Sequence, residues 1–411
     1  MTESGTRHTV QPEIDVARVL AALDSLPQER LAFSRSDLDA RVETAELMRN
    51  AGLTVAMDDA FNVVGSRQGT HDLRPIVLGS HIDTVPNPGR FDGALGVMAA
   101  IECARVLEKP CRHPLLVYGF SDEEGSLTQG CWGARAVTGQ LSPEEIGALA
   151  DPESELSVRL GAAARDMAEL GWSVDPAAAA SIPEVKPCAY LELHIEQGPV
   201  LERSGISTGA VTSIVGISRY EVIFQGRSGH AGTVPMTDRA ADVTVRLASL
   251  IGQYWEEVRA LGSKAVVNFG RIVLLPGSFN VIPEEARLTV EIRSPEASLL
   301  ADLESSLERL SSEVDGQLAV VGRDAPVVLD ATVRQATLKA AQAVGLDCME
   351  VPSWAGHDAA VMASATAAGM IFVPSVDGAS HCPREHTHEA DVEAGLRVLL
   401  ETVKRLDEVL E

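Results

Sequence analysis

A strand, a loop, a helix and a second strand follow one another in residues 76–120, which read IVLGSHIDTVPNPGRFDGALGVMAAIECARVLEKPCRHPLLVYGF. The apolar run 76–78 predicts a short buried strand that ends at Gly79, residues 93–109 have helical spacing, and residues 115–120 predict a second buried strand. Strands that alternate with helices predict an α/β fold with a largely parallel sheet flanked by helices. In such sheets ligands bind beyond the carboxyl ends of the strands.

The segments on either side continue this pattern. Residues 36–52 predict a helix that Ser36 can cap and that Gly52 ends. Residues 189–193 predict a third buried strand, and the α/β pattern resumes at residues 330–344.

From about residue 210 the pattern changes to strands of alternating polarity. The predicted elements are a strand at 220–224, a helix at 243–258, strands at 264–274 and 286–293, a helix at 300–314 and a strand at 317–321. The order β-α-β-β-α-β is that of a ferredoxin-like unit. We therefore predict an inserted domain at residues 210–322 within a discontinuous domain made of residues 1–209 and 323–411.

Composition excludes several classes of function. The chain has 59 acidic and 34 basic side chains and a formal net charge of −25, which disfavours binding to nucleic acid or to an anionic membrane. No apolar run is long enough to span a bilayer, and the first fifteen residues lack a signal-peptide pattern. The six cysteines form no CxxC pair and are expected to be reduced, so we expect a cytoplasmic protein.

Five segments place metal-ligating side chains at predicted strand ends or in tight loops: GSHID (79–83), GRFDG (89–93), SDEEG (121–125), LELHIEQG (191–198) and SHCP (380–383). His81 follows a buried strand, and Asp83 can hold its imidazole in one tautomer. Asp92 precedes a helix. Glu123 and Glu124 are consecutive, so their side chains diverge, and one can bind metal while the other faces a water molecule.

Each segment also has a simpler interpretation, and the residues alone leave both open. A histidine after a strand can be structural, an aspartate before a helix can be an N-cap, and paired glutamates can belong to a solvated loop. A dinuclear site would need a bridging carboxylate and would suit Zn²⁺, with Mn²⁺, Co²⁺ or Ni²⁺ as alternatives. Such a site supports amide hydrolysis without a covalent intermediate, because a free carboxylate can carry the proton from water to the leaving nitrogen.

The inserted domain has polar residues of its own. The glycine-rich segment 226–232 exposes His230 on a sharp turn, and Asn280 and Arg293 could together clamp a substrate carboxylate. A plain loop and a surface arginine are the alternatives.

These residues, in this order, resemble those of the di-metal amidohydrolases related to aminoacylases and metallo-carboxypeptidases. Within that group the chain is similar to N-carbamoyl-L-amino acid hydrolases, β-ureidopropionases and allantoate amidohydrolases. The similarity spans about residues 30–400 and rests on GSHIDTVPNPGRFDGALGV (79–97), FSDEEG (120–125), LELHIEQGPVLE (191–202), GRSGHAGTVPM (226–236), AGHDA (355–359) and SHCPREHTHEAD (380–391). The third motif is the most discriminating, because peptidase relatives usually carry a carboxylate where His194 stands.

The resemblance implies two divalent metal ions per subunit and assigns each ligand. His81 and His194 would hold one ion, Glu124 and His381 the other, and Asp92 would bridge them. Glu123 would be the general acid/base.

The resemblance also implies substrate contacts. Gln197, Asn280 and Arg293 would contact the substrate, with Arg293 on its carboxylate. His230 would stabilise the oxyanion and would reach the site of a partner subunit. The inserted domain would be a lid and dimerisation domain, so we expect a homodimer.

The implied reaction is hydrolysis of an N-carbamoyl-L-amino acid to amino acid, ammonia and CO₂. The alternatives are an allantoate, N-acyl amino acid or dipeptide hydrolase, and a catalytically inactive relative that only binds a ligand. The chain departs from the family at Trp354, where a small residue is common. An indole that borders the substrate would reshape the pocket, whereas one that packs elsewhere would not.

Overall fold

The structure is a computed structural model, and it describes residues 13–107, 111–239 and 242–410. Most of the N-terminal segment that lacks a signal-peptide pattern lies outside the described residues. Residues 108 and 109, the last two of the helix predicted at 93–109, also lie outside the described residues.

The strands are β1 (Thr54–Met57), β2 (Val63–Arg67), β3 (Ile76–His81), β4 (Leu115–Phe120), β5 (Ala189–Ile195), β6 (Thr208–Ile214), β7 (Gly216–Gln225), β8 (Gly229–His230), β9 (Val266–Leu275), β10 (Val281–Ile282), β11 (Glu285–Ser294), β12 (Gly316–Asp324), β13 (Val327–Val328), β14 (Cys348–Ser353) and β15 (Ala367–Val373). The α-helices are α1 (Val16–Ser25), α2 (Arg35–Asn50), α3 (Ala94–Val106), α4 (Trp132–Val137), α5 (Pro143–Ala150), α6 (Glu155–Glu169), α7 (Val200–Ser204), α8 (Val243–Arg259), α9 (Ala297–Glu313), α10 (Ala331–Ala343), α11 (Asp358–Met362) and α12 (Glu389–Val409).

The described residues form two compact units, the first drawn from residues 13–212, 329–351 and 356–410 and the second from residues 213–328 and 352–355. The main sheet has the order β1-β2-β4-β3-β5-β15-β6-β13, and β14 also pairs with β6. The four central strands, β4, β3, β5 and β15, run parallel to one another. The predicted α/β fold class with a largely parallel sheet is therefore confirmed.

The core of the first unit explains why its central strands read as continuous apolar runs. Strands β3 and β5 are buried along their whole length, as expected for parallel strands covered on both faces. Helix α3 is buried from Ala94 to Ala104 and belongs to the same hydrophobic core as Leu78, Leu193 and Leu396. A helix without a polar face lies inside the protein, so α3 fixes the position of the loop before it.

The second unit contains a four-stranded antiparallel sheet of order β12-β7-β11-β9. The strand and helix order β7-α8-β9-β11-α9-β12 is the predicted β-α-β-β-α-β order, with the short strands β8 and β10 pairing in addition. Alternate residues of β11, from Ala286 to Ile292, are buried in one core with Leu247 of α8 and Leu307 of α9.

Among the residues described, no helix has the length and apolarity needed to cross a membrane. All six cysteines lie in the described part of the chain and are free thiols.

Candidate functional site

Two buried imidazoles face the carboxylate of Asp92. His81 ends β3 and His194 lies near the end of the neighbouring parallel strand β5. The Nδ1 atom of His81 lies 3.0 Å from the carbonyl oxygen of Asp83, and that of His194 lies 2.8 Å from the carbonyl oxygen of Ile195. Because a carbonyl oxygen can only accept, each Nδ1 carries a hydrogen, and Nε2 is the nitrogen that can offer a lone pair to a cation when the ring is neutral. The two Nε2 atoms lie 3.7 and 3.2 Å from Oδ1 of Asp92.

The contact between Asp83 and His81 is made through the main chain of Asp83. The main-chain carbonyl of Asp83 holds the imidazole, whereas its carboxylate lies 4.0 Å from the ring nitrogen. That carboxylate instead accepts hydrogen bonds from the backbone N–H groups of Glu123 (3.3 Å) and Glu124 (3.2 Å). Asp83 therefore fixes both the tautomer of His81 and the turn that carries the two glutamates.

Asp92 lies between two sets of ligand atoms. Its Oδ1 faces His81 and His194, whereas its Oδ2 lies 3.1 Å from Nε2 of His381. The same His381 nitrogen lies 3.4 Å from Oε1 of Glu124. A carboxylate with one oxygen directed at each set has the arrangement required of a bridge between two cations.

Glu123 and Glu124 follow β4, and a carboxylate oxygen of each lies within 4.8 Å of the other and of a ring nitrogen of His81. Oε2 of Glu123 lies 3.8 Å from Nε2 of His81, whereas Glu124 reaches His381. Burial, together with the neighbouring Glu124 carboxylate, raises the pKa of Glu123 well above its usual range. Burial and the charge of Asp92 raise the pKa of Glu124 to about 7. A carboxyl group with an elevated pKa is suited to taking up a proton from water and giving it back.

The charge of Asp92 organises the histidines around it. Burial opposes its ionisation, but hydrogen bonds from His194 and His381 lower the pKa of Asp92 well below its usual range. Burial alone would lower the pKa of His194, yet the hydrogen bond to Asp92 raises it to about 9. The same kind of bond raises the pKa of His381 to about 9, whereas burial lowers that of His81 to about 4.

The donor set fits divalent cations. Among the described residues, ligand atoms of His81, Asp92 and His194 lie within 4.8 Å of one another, and so do those of Asp92, Glu124 and His381. Both groups share Asp92 and combine imidazole nitrogen with carboxylate oxygen, which suits Zn²⁺ and other first-row metals. These groups could therefore hold metal ions.

Gln197 lies beside the same carboxylate. Its Nε2 donates a 2.8 Å hydrogen bond to Oδ2 of Asp92 and lies 3.3 Å from Oγ of Ser380. Its Oε1 is buried and accepts no hydrogen bond from the described residues. A buried acceptor that lacks a donor lowers the stability of the folded protein. A ligand N–H group that donates to this oxygen would remove that cost.

The other predicted substrate contacts belong to the second unit. Strand β8 places His230 opposite Val281 of β10, and the backbone N–H of Ala231 donates to the carbonyl of Asn280 at 3.0 Å. His230 and Asn280 are thus neighbours, and His230 is exposed.

Arg293 lies on β11 beside Trp354. Its Nη1 donates to the carbonyl oxygen of Trp354 at 2.7 Å, and its Nε donates to Oε1 of Glu291 at 2.9 Å. The two residues line one cavity of about 330 Å³ together with Val266, Val267, Asn268 and Glu291. Trp354 therefore borders the cavity that contains the predicted carboxylate-binding arginine.

A buried polar cluster behind His194 was not predicted. The ring of His357 lies 4.6 Å from that of His194, and Glu192 accepts hydrogen bonds from Ser80 (2.7 Å) and Tyr190 (3.0 Å). Two features of the sequence could have indicated this cluster. Glu192 is a carboxylate within a strand predicted to be buried, and His357 is the histidine of the AGHDA motif.

Comparison with known proteins gives a consistent result. The family model described as peptidase family M20/M25/M40 matches residues 77–405. An N-carbamoyl-L-amino-acid amidohydrolase from Paenarthrobacter aurescens is 37% identical over 393 residues, which cover 92% of this chain and 93% of that protein. An allantoate amidohydrolase from Escherichia coli is 32% identical over 386 residues, which cover 90% of each protein. The crystal structure of an amidase of the hydantoinase/carbamoylase family from Burkholderia phymatum matches with a TM-score of 0.83 and 33% identity, covering 97% of this chain and 99% of that one.

Proposed function

The chain belongs to peptidase family M20/M25/M40 and is an amidohydrolase, and from this we propose that it hydrolyses N-carbamoyl-L-amino acids to the amino acid, ammonia and CO₂. The observation that carries the proposal is the position of Asp92 between two groups of metal-ligating atoms, with Glu123 beside them. The names of the relatives at 37% and 32% identity support a linear ureido substrate.

We propose that His81 and His194 hold one divalent ion, that Glu124 and His381 hold the other, and that Asp92 bridges them. Zn²⁺ is the first candidate, with Mn²⁺, Co²⁺ or Ni²⁺ as alternatives. When bound, the ions supply Lewis acidity that acidifies a water molecule and polarises the carbamoyl carbonyl.

Glu123 moves the proton in this scheme. Its carboxylate takes a proton from the attacking water and delivers it to the amino-acid nitrogen, whose bond to the carbamoyl carbon then breaks. The products are the free amino acid and carbamic acid, which decomposes to ammonia and CO₂, so one water molecule is consumed. The burial that raises the pKa of Glu123 makes its carboxylate a stronger base toward the attacking water.

The proposed substrate contacts are of two kinds, hydrogen bonds and a charge–charge contact. Gln197 offers its unpartnered Oε1 to a carbamoyl N–H, and Arg293 binds the substrate carboxylate through its guanidinium. Asn280 assists Arg293, and His230 stabilises the negative charge that develops on the carbonyl oxygen. We propose that the unit carrying these three residues is a lid and dimerisation domain of a homodimer, in which His230 serves the partner's site.

The test is a substrate panel. Protein reconstituted with Zn²⁺ or Mn²⁺ is assayed for ammonia release from N-carbamoyl-L-amino acids and allantoate, and for amine release from N-acyl amino acids and dipeptides. We expect the highest kcat/KM on an N-carbamoyl-L-amino acid. Absence of turnover on every N-carbamoyl compound would reject the proposal, and a preference for allantoate would replace the substrate.

Arg293 has a matched control on the same strand. Arg287 binds Glu285 through a 2.7 Å hydrogen bond, just as Arg293 binds Glu291 at 2.9 Å. Replacing Arg293 by alanine should lower kcat/KM by about 100-fold or more, since a charge-assisted contact to the substrate is lost. Arg287→Ala should leave kcat/KM within about twofold, and an equal effect of both variants would contradict the assignment.

A further inference from the structure

One buried carboxylate joins two segments that carry proposed metal ligands. Oε1 of Glu385 accepts hydrogen bonds from the backbone N–H groups of Phe91 (2.7 Å) and Asp92 (3.1 Å). Its Oε2 lies 3.2 Å from Oγ of Ser380, the residue before His381. Only 5% of Glu385 is exposed, so these contacts are shielded from water.

The surroundings leave this carboxylate little freedom. A Cβ atom at Gly89 would lie 2.1–2.3 Å from the carboxyl atoms of Glu385, which shows that the loop before Asp92 packs directly against it. The hydroxyl of Ser380 lies between the two carboxylates, 2.9 Å from Oδ2 of Asp92 and 3.2 Å from Glu385. Glu385 is therefore held against both the backbone of Asp92 and the segment that presents His381.

We propose that Glu385 is a positioning residue that sets the separation of Asp92 and His381 and thereby the affinity for the two ions. The reason is geometric, because Asp92 and His381 are almost 300 residues apart and Glu385 is hydrogen-bonded on both sides. Residues that orient ligands without touching the metal typically change metal affinity by about 10- to 100-fold when replaced. The inference rests on the proposed two-ion site.

Three variants separate this role from general destabilisation. Glu385→Ala removes the carboxylate. Glu385→Gln keeps an Oε1 acceptor for both backbone N–H groups and should rescue binding. Gly89→Ala leaves Glu385 in the chain but displaces its carboxylate.

Asp407 provides a matched control. Its carboxylate also accepts two backbone hydrogen bonds across a similar sequence separation, from Arg112 and His113 at 2.9 Å each. Those residues precede β4, whereas the proposed ligands follow the carboxyl ends of the strands. Asp407→Ala therefore removes an equivalent structural link without touching a ligand-bearing segment.

The experiment is calorimetric titration of the apo full-length protein with Zn²⁺ in the absence of substrate, together with the visible spectrum of the Co²⁺ form. We expect two ions in the wild type, and affinity lowered about 10- to 100-fold with an altered Co²⁺ spectrum in Glu385→Ala and Gly89→Ala. Glu385→Gln should stay within about threefold of wild type, and Asp407→Ala should lower thermal stability only.

Wild-type affinity in Glu385→Ala or Gly89→Ala, or an equal loss in Asp407→Ala, would overturn the inference while leaving the proposed function in place. If Glu385→Ala does not fold, the Zn²⁺ affinities of Gly89→Ala and Glu385→Gln test the inference in its place. A wild type that binds no ion would overturn both proposals.

Discussion

Main-chain carbonyl oxygens, not side chains, orient the two buried imidazoles beside Asp92. His81 and His194 each donate from Nδ1 to a carbonyl within two residues of their own position. Such a bond depends on local backbone conformation, so no pairing of distant residues has to be correct for Nε2 to face Asp92. The tautomer is thereby determined as soon as the strand ends form.

Four of the proposed ligands could be selected as candidates because each is a metal-binding residue type at a predicted strand end or helix entry: His81, Asp92, Glu124 and His194. Their individual roles, and the inclusion of His381, depended on the resemblance to the family. The contacts that orient them could not be predicted. Which oxygen of Asp83 holds His81, and that Glu385 supports Asp92 from a segment nearly 300 residues away, depend on tertiary geometry that residue type does not encode.

Replacing Glu123 by glutamine tests the proton transfer. The amide cannot accept a proton from water, so kcat should fall by about 100- to 10,000-fold, the usual contribution of a general acid/base. Metal content, measured by elemental analysis, should stay at the wild-type level. Glu124→Gln should instead lower metal affinity, and retained activity in Glu123→Gln would contradict the role of Glu123.

Asp58 supplies a prediction about pH and stability. Its carboxylate is partly buried and accepts hydrogen bonds from the backbone N–H groups of Ala60 (3.0 Å) and Asn62 (2.9 Å), yet the loss of solvation raises its pKa to about 6. The folded state therefore binds this proton more tightly than the unfolded state, whose pKa is about 3.9. Stability contributed by the protonated form is lost as pH rises through about 6.

The check compares wild type with Asp58→Asn, which does not titrate. Because pH 5 lies about one unit below the folded-state pKa, the wild-type free energy of unfolding relative to the variant should fall by about 1.4 kcal/mol between pH 5 and pH 8. Urea unfolding at the two pH values measures this difference. A difference that does not change with pH would show that Asp58 does not titrate in this range.

At the level of elements, the proposed ligands are collected by the carboxyl ends of parallel strands. His81 ends β3, Glu123 and Glu124 follow β4, and His194 lies near the end of β5, so neighbouring strands deliver their polar residues to one edge. Periodicity could predict these strands and α3 because the core selects apolar residues at regular intervals. It could not predict that β12 continues to Asp324, since edge strands have little burial to mark their ends.

Gly93, the residue before α3, packs directly against the imidazole of His81. It has a φ of +64°, and a Cβ atom there would lie 2.4–2.5 Å from the imidazole ring of His81. Gly93→Ala should displace His81 and weaken metal binding at least tenfold, measured by Zn²⁺ titration. Gly147 in α5 has no atom within 4 Å of its Cβ position, so Gly147→Ala should bind metal normally and gain about 0.5–1 kcal/mol of stability.

Equal metal affinity in Gly93→Ala and wild type would show that His81 can move without consequence, or that it is not a ligand. Either result would remove one of the two proposed sets of ligands.

For the whole molecule, the motif-based family assignment is confirmed by a family model covering residues 77–405 and by relatives that match over most of their length. The hydrolytic class follows from that membership, because relatives that match over most of this chain are named amidohydrolases. The individual substrate does not follow, since under the proposed function it depends on the shape of the pocket around Arg293 and Trp354.

Trp354 should affect substrate choice. Trp354 lines the cavity with Arg293, and its carbonyl oxygen accepts a hydrogen bond from the guanidinium at 2.7 Å. Trp354→Gly enlarges the cavity while the carbonyl remains, so the ratio of kcat/KM for bulky over small N-carbamoyl-L-amino acids should shift at least tenfold. An unchanged ratio would place the indole outside the substrate pocket.

The central claim is that five side chains bind two divalent ions around Asp92, and metal stoichiometry tests it most directly. Elemental analysis of metal-supplemented, desalted protein should find two transition-metal ions per wild-type chain. Asp92→Ala should retain neither tightly, because Asp92 contributes to both groups of ligand atoms. Wild-type protein without bound metal, or an Asp92→Ala variant that still holds two ions, would contradict the claim.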